Sequence, residues 1–198
     1  NKLKQAVSSM GLTGVVAIVL ALALIVVPLV VDLGNYILTV MVSLLIYITL
    51  SESWNLMGGY AGQVNLGFSA YFGTGALCYI LSYRAGTPLP VAFVVGGLAA
   101  IVVSCVIGPP TLRLRGAYFG IGTMALAEVL RLVSTTTFTQ TIYSPASYWM
   151  TFTLTKSYYI ALVVAIATFL VAYIVVHSRL GLILQAIRDD EDAANASG

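Results

Sequence analysis

Glu128 and Arg131 stand three residues apart, a spacing that places both on one face of a helix, where a carboxylate and a guanidinium can pair. Ionisable groups inside an apolar helix are costly and often functional. A proton or ion relay is one reading, but it needs a second acid in a neighbouring apolar stretch, and none lies there. The other reading is an intramembrane ion pair that fixes helix packing near a membrane end, where snorkelling lowers the cost. The remaining chemistry is sparse. His177 is the only histidine and stands at the edge of an apolar run. Cys78 and Cys105 lie inside apolar runs and read as small buried hydrophobes, not as a disulfide framework. No His/Cys/Asp cluster has metal-ligand spacing, and no hydrolytic machinery is visible. A G-x-x-x-x-G-K-[ST] loop is also missing, so this chain does not bind ATP through a P-loop. No catalytic residue, metal or cofactor is assigned, and the chain is not read as an enzyme. If it performs active transport, the energy comes from an ion gradient or from a separate ATPase.

The elements that must position these residues are apolar helices. Hydrophobic residues make up 60% of the chain and charged residues 8%, with a mean hydropathy of +0.99. A soluble domain carries roughly 25% charge. A chain this short of charge cannot cover a water-facing surface, which implies a multi-pass protein of the lipid bilayer. The net charge of +2 comes with no basic run that would hold a phosphate backbone, so nucleic acid is not a partner. The first residue is Asn, not Met, and the chain is expected to lack its natural start.

About 20 apolar residues cross roughly 30 Å of hydrocarbon. Six candidate spans follow: Gly11–Val31, Tyr36–Leu50 (extensible to Met57), Leu66–Tyr83, Pro90–Ile107 with Pro109-Pro110 as its stop, the short Ala117–Val133, and Tyr158–Val176. Lys and Arg in the loops set the orientation. With the N-terminus inside, Lys2, Lys4, Arg113, Arg115, Arg179 and Arg188 fall in the cytoplasm. Arg84 and Lys156 fall outside, with Arg131 near the outer end of its span. The expected fold is an all-α, polytopic transmembrane helical bundle of about six spans, N-in and C-in. The longest loop, Ser134 to Lys156, either meets an extracytoplasmic partner or lies at headgroup level through Tyr148 and Trp149.

Small residues recur within the spans. Gly96, Ala100, Ser104 and Gly108 repeat every four residues and so share one face, and Tyr71 to Gly75 and Gly116 to Gly120 show the same spacing. Tight helix packing is the expectation. The stretch Ser51 to Gly67, SESWNLMGGYAGQVNLG, is unusual. Gly58, Gly59 and Gly62 should interrupt a helix, while Glu52, Asn55, Gln63 and Asn65 add polar groups. It reads either as an ordinary cytoplasmic loop or as a broken segment lining a cavity. On the cavity reading, the amides of Gln63 and Asn65 line a substrate path, where they can hydrogen-bond an ammonium or a carboxylate.

After the last span the apolar run stops. Two Arg and four acidic residues fall between Arg179 and Asp192. Leu180, Ile183, Leu184 and Ile187 follow i, i+3, i+4, i+7, which predicts a short amphipathic helix, with Ser178 as its N-cap. Such a helix is a solvated juxtamembrane tail, or it lies on the membrane, or it docks on a cytoplasmic partner.

Three stretches then resemble one family. NLMGGYAGQVNLGFSAYFGTGA is similar to the signature region of bacterial branched-chain amino acid permeases of the LivM type. TLRLRGAYFGIGTMALAEVLR resembles a second block, with an R-L-R-G-x-Y core at Arg113 to Tyr118. SRLGLILQAIRDDEDAANASG resembles the cytoplasmic loop of ABC importer permeases, E-x-A-A-x-x-x-G, carried by Glu191, Ala193, Ala194 and Gly198. Leu182 stands where the family often has a basic residue. The resemblance implies a transmembrane permease region at 1–176 and a cytoplasmic coupling segment at 177–198. It implies a multi-pass permease of the bacterial inner membrane that moves branched-chain amino acids. The implied partners are two cytoplasmic ABC ATPase subunits, a second permease subunit and a periplasmic substrate-binding protein. Leu184, Ile187, Arg188 and Glu191 would then carry ATPase coupling. Family members usually continue past this loop with further spans, so the natural chain is expected to extend beyond Gly198. The alternatives are the same machine with another small polar cargo (urea, a short amide or another amino acid), an ion-coupled secondary transporter, or a non-transporting membrane protein.

Overall fold

The computed structural model describes residues 23–26, 28, 30, 34–114, 116–139 and 153–190. Among these, all regular structure is helical. The long elements are α1 (Gly34–Asn55), α2 (Phe68–Arg84), α3 (Leu89–Thr111), α4 (Ala117–Thr137), α5 (Leu154–Val176) and α6 (Arg179–Asp189). A π-helical turn, Leu56–Tyr60, continues α1 without a break. Among the described residues, four stretches are long and apolar enough to cross a membrane: Gly34–Tyr60, Leu89–Thr111, Ala117–Thr137 and Leu154–Val176. With 17 residues, α2 rises only about 25 Å, less than a full hydrocarbon core. The expected first span lies outside the described residues except for helical positions between Ala23 and Val30.

Several boundaries differ from the sequence reading. The third span begins two residues late, at Phe68, because Gly67 stands at its N-cap and accepts the Ala70 N–H at 3.0 Å. Pro109-Pro110 does not stop its helix: α3 runs through both prolines to Thr111. The Thr111 hydroxyl donates to the carbonyls of Ile107 and Gly108, both at 2.9 Å, and the Leu112 N–H reaches Gly108 O at 2.8 Å. The last turn therefore closes although two N–H groups are missing. The short fifth span is longer than expected, reaching Thr137. The hydroxyls of Thr135 and Thr136 donate back to the carbonyls of Arg131 and Leu132, at 2.9 and 2.7 Å, which lets a polar end remain helical. At its start α5 gains Leu154 to Ser157. Both ends of the long polar loop are thus helix; its middle, with Tyr148 and Trp149, lies outside the described residues. Cys105 is exposed, not buried, and Cys78 is half-buried.

The chain divides into two compact units. The first comprises residues 1–49 and 151–167. Its core is Leu38 and Leu45 of α1 with Tyr158, Leu162 and Ala165 of α5. These positions are seven apart on α1, and four and three apart on α5, so each set makes one helix face. Tyr158 is fully buried, and its hydroxyl donates to Leu24 O at 2.7 Å. Three hydroxyls on α1 are satisfied within the helix, as suits a lipid environment. Thr39, Ser43 and Thr49 each donate to the carbonyl four residues earlier, at 2.8, 3.0 and 2.7 Å.

The second unit comprises residues 50–150 and 168–198 and contains α2, α3, α4 and α6. Glycine brings α2 and α3 together. A Cβ on Gly96 would stand 2.7 Å from the Gly75 carbonyl oxygen and 3.1 Å from Tyr79 Cβ. The rings of Tyr79 and Phe93 meet one turn away, at 4.8 Å. Close backbone approach of this kind replaces the hydrophobic effect as the packing force in lipid. Only half of the expected small-residue stripe packs in this way. Gly96 and Ala100 face Gly75, whereas Ser104 and Gly108 line a cleft whose wall begins at Ala100.

Candidate functional site

The site is built around residues 54–67, which the sequence left open between a loop and a cavity-lining segment. It is not an ordinary loop. Ser51–Asn55 completes α1, and Gly58 and Gly59 lie inside the π-turn instead of ending the helix. The wider turn uses the room that the glycines leave. A Cβ on Gly58 would stand 2.6 Å from the Trp54 ring, and one on Gly59 would collide with the Asn55 side chain. The chain leaves the helix at Gly62, whose φ of +71° favours glycine.

Beyond Gly62 the backbone is held by specific hydrogen bonds. The Gln63 N–H donates to Met57 O at 3.1 Å. Trp54 Nε1 donates to Asn65 O at 2.9 Å. Asn65 is buried; its Oδ1 accepts the Gly67 N–H at 2.8 Å, and its Nδ2 donates to Met57 Sδ at 3.5 Å. The Leu66 N–H donates to Thr123 Oγ1 at 3.1 Å, and that buried hydroxyl donates to Gly120 O at 2.9 Å. Gly67 lies so close to the Thr123 carbonyl that any Cβ there would overlap it. The segment is thereby fastened to α4.

Between this segment, α2 and α3 opens a cleft of about 440 Å³. Its walls include Met57, Asn65, Tyr71, Ala100, Ser104 and Thr111. The wall is mainly apolar with a few polar groups, the usual composition of a small-molecule site. Asn65 lines this cleft, while Gln63 is half-buried and does not. Much of the Asn65 amide is committed to holding the segment, so its clearest work is structural.

At the other side of the π-turn lies α6. Ser178 caps it, accepting the Leu180 N–H at 3.2 Å. The apolar stripe is divided: Leu184 and Ile187 are half-buried, whereas Leu180 and Ile183 are 59% and 53% exposed. Arg188 reaches the π-turn, where Nη1 donates to Gly59 O at 3.2 Å. Glu191, with Ala193, Ala194 and Gly198, lies outside the described residues, as does Arg115. Glu128 and Arg131 form a bidentate pair on α4, Nε to Oε2 at 2.8 Å and Nη2 to Oε1 at 2.5 Å, with both side chains more than half exposed. Neither of them lines the cleft.

Sequence reasoning missed Trp54, Met57 and Thr123. A signal existed for the first: Trp54 and Gly58 are four apart, the spacing at which a ring covers the next turn. Thr123 carried none, because its contact with Leu66 spans 57 residues.

Residues 36–198 match the family of branched-chain amino acid transport system permease components. The chain belongs to this family, and it is a multi-pass membrane protein. It is 31% identical over 90 residues to the high-affinity branched-chain amino acid transport system permease protein LivM of Escherichia coli K12. To the protein of the same name from Salmonella typhimurium LT2 it is 30% identical over 90 residues. Each match covers 45% of this chain and 21% of the relative, so the chain aligns with about a fifth of the length of these relatives. No solved structure matches the chain.

Proposed function

We propose that this chain belongs to a membrane-spanning subunit of an ABC importer of the bacterial inner membrane, carrying branched-chain amino acids. Two cytoplasmic ABC ATPases supply the energy, a second permease completes the pathway, and a periplasmic binding protein delivers the solute. The observation that carries this reading is the family match across residues 36–198, which reaches beyond the last apolar helix into the α6 region. An amphipathic helix with Leu180 and Ile183 exposed supports a docking role there, since a chain without a P-loop must receive its work from elsewhere. Leu184, Ile187, Arg188 and Glu191 carry the coupling. Asn65, which lines the cleft, and Gln63 of the same segment are the substrate-path candidates, and Glu128 and Arg131 form an intrahelical ion pair near the outer end of α4.

Purification of the full-length permease in mild detergent tests the reading. Two Walker-motif ATPases should accompany it, and an intact complex without them sinks the proposal. Cargo is read from radiolabelled leucine uptake in proteoliposomes competed with isoleucine, valine, urea or acetamide. Competition by the amide or urea instead of the amino acids would move the assignment to another cargo. The double variant Ile187→Asp, Glu191→Lys should insert normally and lose ATP-dependent uptake; undiminished uptake would refute the docking role.

A further inference from the structure

We propose that Arg188 is a positioning residue that latches α6 to the π-turn and thereby sets the opening of the cleft beside Met57 and Asn65. The proposal rests on the reading of α6 as the coupling helix, and it makes the share of Arg188 in coupling internal to the chain. The aliphatic stem of Arg188 lies across Gly62: a Cβ on that glycine would stand 2.6 Å from Arg188 Cγ and 3.4 Å from its Cα. Its Nη1 donates to Gly59 O at 3.2 Å. The Asp189 carboxylate lies at 3.6 Å from Nε. The guanidinium is therefore aimed at a backbone carbonyl at the end of the π-turn, where the helix leaves carbonyls without intrahelical donors.

The other end of α6 is pinned as well. Gly181 presses on the carbonyls of Val175 and Val176, where any Cβ would collide, and Ser178 caps the first turn. Arg188 lies seven positions after Gly181, an arm of about 10 Å. A force on the exposed Leu180, Leu182 and Ile183 turns α6 about the Gly181 elbow and is delivered at Arg188. From there Gly59 and Gly62 pass it to the two cleft residues of the same segment, Met57, which accepts the Gln63 N–H, and Asn65, which is tied to Trp54 and Gly67. Turns of π type are rare and gather at functional sites, and this one joins an apolar helix to a cleft wall.

The test uses the complete permease in its assembled complex, with Cys78 and Cys105 replaced by Ala and Ser104→Cys reporting on the cleft. The rate of N-ethylmaleimide labelling is measured in membranes with and without ATP. Arg188→Ala should speed labelling without nucleotide by about threefold to tenfold, the equilibrium change that follows from losing one hydrogen bond. It should also abolish the ATP-dependent change in rate. Arg188→Lys should restore part of both, because it keeps the stem and a cationic donor. A control cysteine at Thr136, on α4, should label at an unchanged rate. Ser104→Cys labelling equal to the parent in Arg188→Ala, with and without ATP, overturns the latch, and so does equal acceleration at both reporters, which marks general loosening. If Arg188→Ala fails to insert, Gly62→Ala takes its place, displacing the Arg188 stem with the guanidinium retained; unchanged labelling there also overturns the proposal. Absence of ATPases from the parent complex defeats the importer reading instead, and the labelling without nucleotide still decides the latch.

Discussion

The two units hold themselves together in opposite ways. In the first, the contact is made of side chains: Leu38 and Leu45 against Tyr158, Leu162 and Ala165, all nearly or fully buried. In the second, the decisive contacts are made where side chains are missing. Gly67 lies on the Thr123 carbonyl, Gly96 on the Gly75 carbonyl, and Gly62 under the stem of Arg188. Around these glycines the backbone is tied by hydrogen bonds from Trp54, Asn65 and Thr123. Lipid explains why both solutions exist. Apolar burial brings no net gain when the surroundings are equally apolar, so stability comes from van der Waals fit and from satisfied polar groups. Bulky residues achieve the fit by filling space, and glycines achieve it by letting backbones touch.

The difference predicts that added atoms break the second unit and removed atoms break the first. Gly67→Ala should have the largest effect, about 3 kcal/mol, because its Cβ overlaps a backbone carbonyl that cannot rotate away. The check is the unfolding midpoint of the purified protein in a detergent–denaturant titration, where α4 and the segment before α2 should separate. Leu162→Ala should follow at about 2 kcal/mol, the lower part of the range for a buried leucine because the transfer share is small in lipid; the same titration measures it. Tyr158→Phe keeps the ring and loses the bond to Leu24 O, at a cost of about 1 kcal/mol. Hydrogen exchange should then rise at the amides near Leu24, and no rise would remove that bond from the first unit's account. Glu128→Gln should have the smallest effect, with insertion and unfolding midpoint close to the parent, since exposed i, i+3 pairs contribute little.

Much of the helical framework was legible because a bilayer allows few alternatives. Runs such as Pro90–Ile107 had to be helices once composition excluded a water-facing surface. The ends were less legible. Thr135 and Thr136 look like loop formers, yet a hydroxyl can return to its own helix and extend it. Gly58 and Gly59 carry a low helix propensity, but the space beside Trp54 and Asn55 outweighs it. The amphipathic α6 and its Ser178 cap could be read from spacing, whereas which half of its stripe turns inward could not. That depends on the π-turn, more than a hundred residues earlier in the chain. Asn65 was singled out for its amide, and it does line the cleft. Its partners Gly67, Met57 and Trp54 are close in sequence, but only the fold shows how much of the amide they occupy.

The proline pair in α3 has a consequence for how the protein is seated. With no N–H on Pro109 or Pro110, the carbonyls of Cys105 and Val106 lose their ordinary donors. Oxygen atoms without donors are costly in hydrocarbon, so these favour water, headgroups or a neighbouring polar group. Counting from Leu89, where α3 begins, about 20 residues of helix cross the hydrocarbon, and the count ends at the prolines. The pair thus works as a plumb mark, biasing how deep α3 sinks. It favours seating the Ser104-to-Thr111 wall of the cleft near the level where lipid gives way to water.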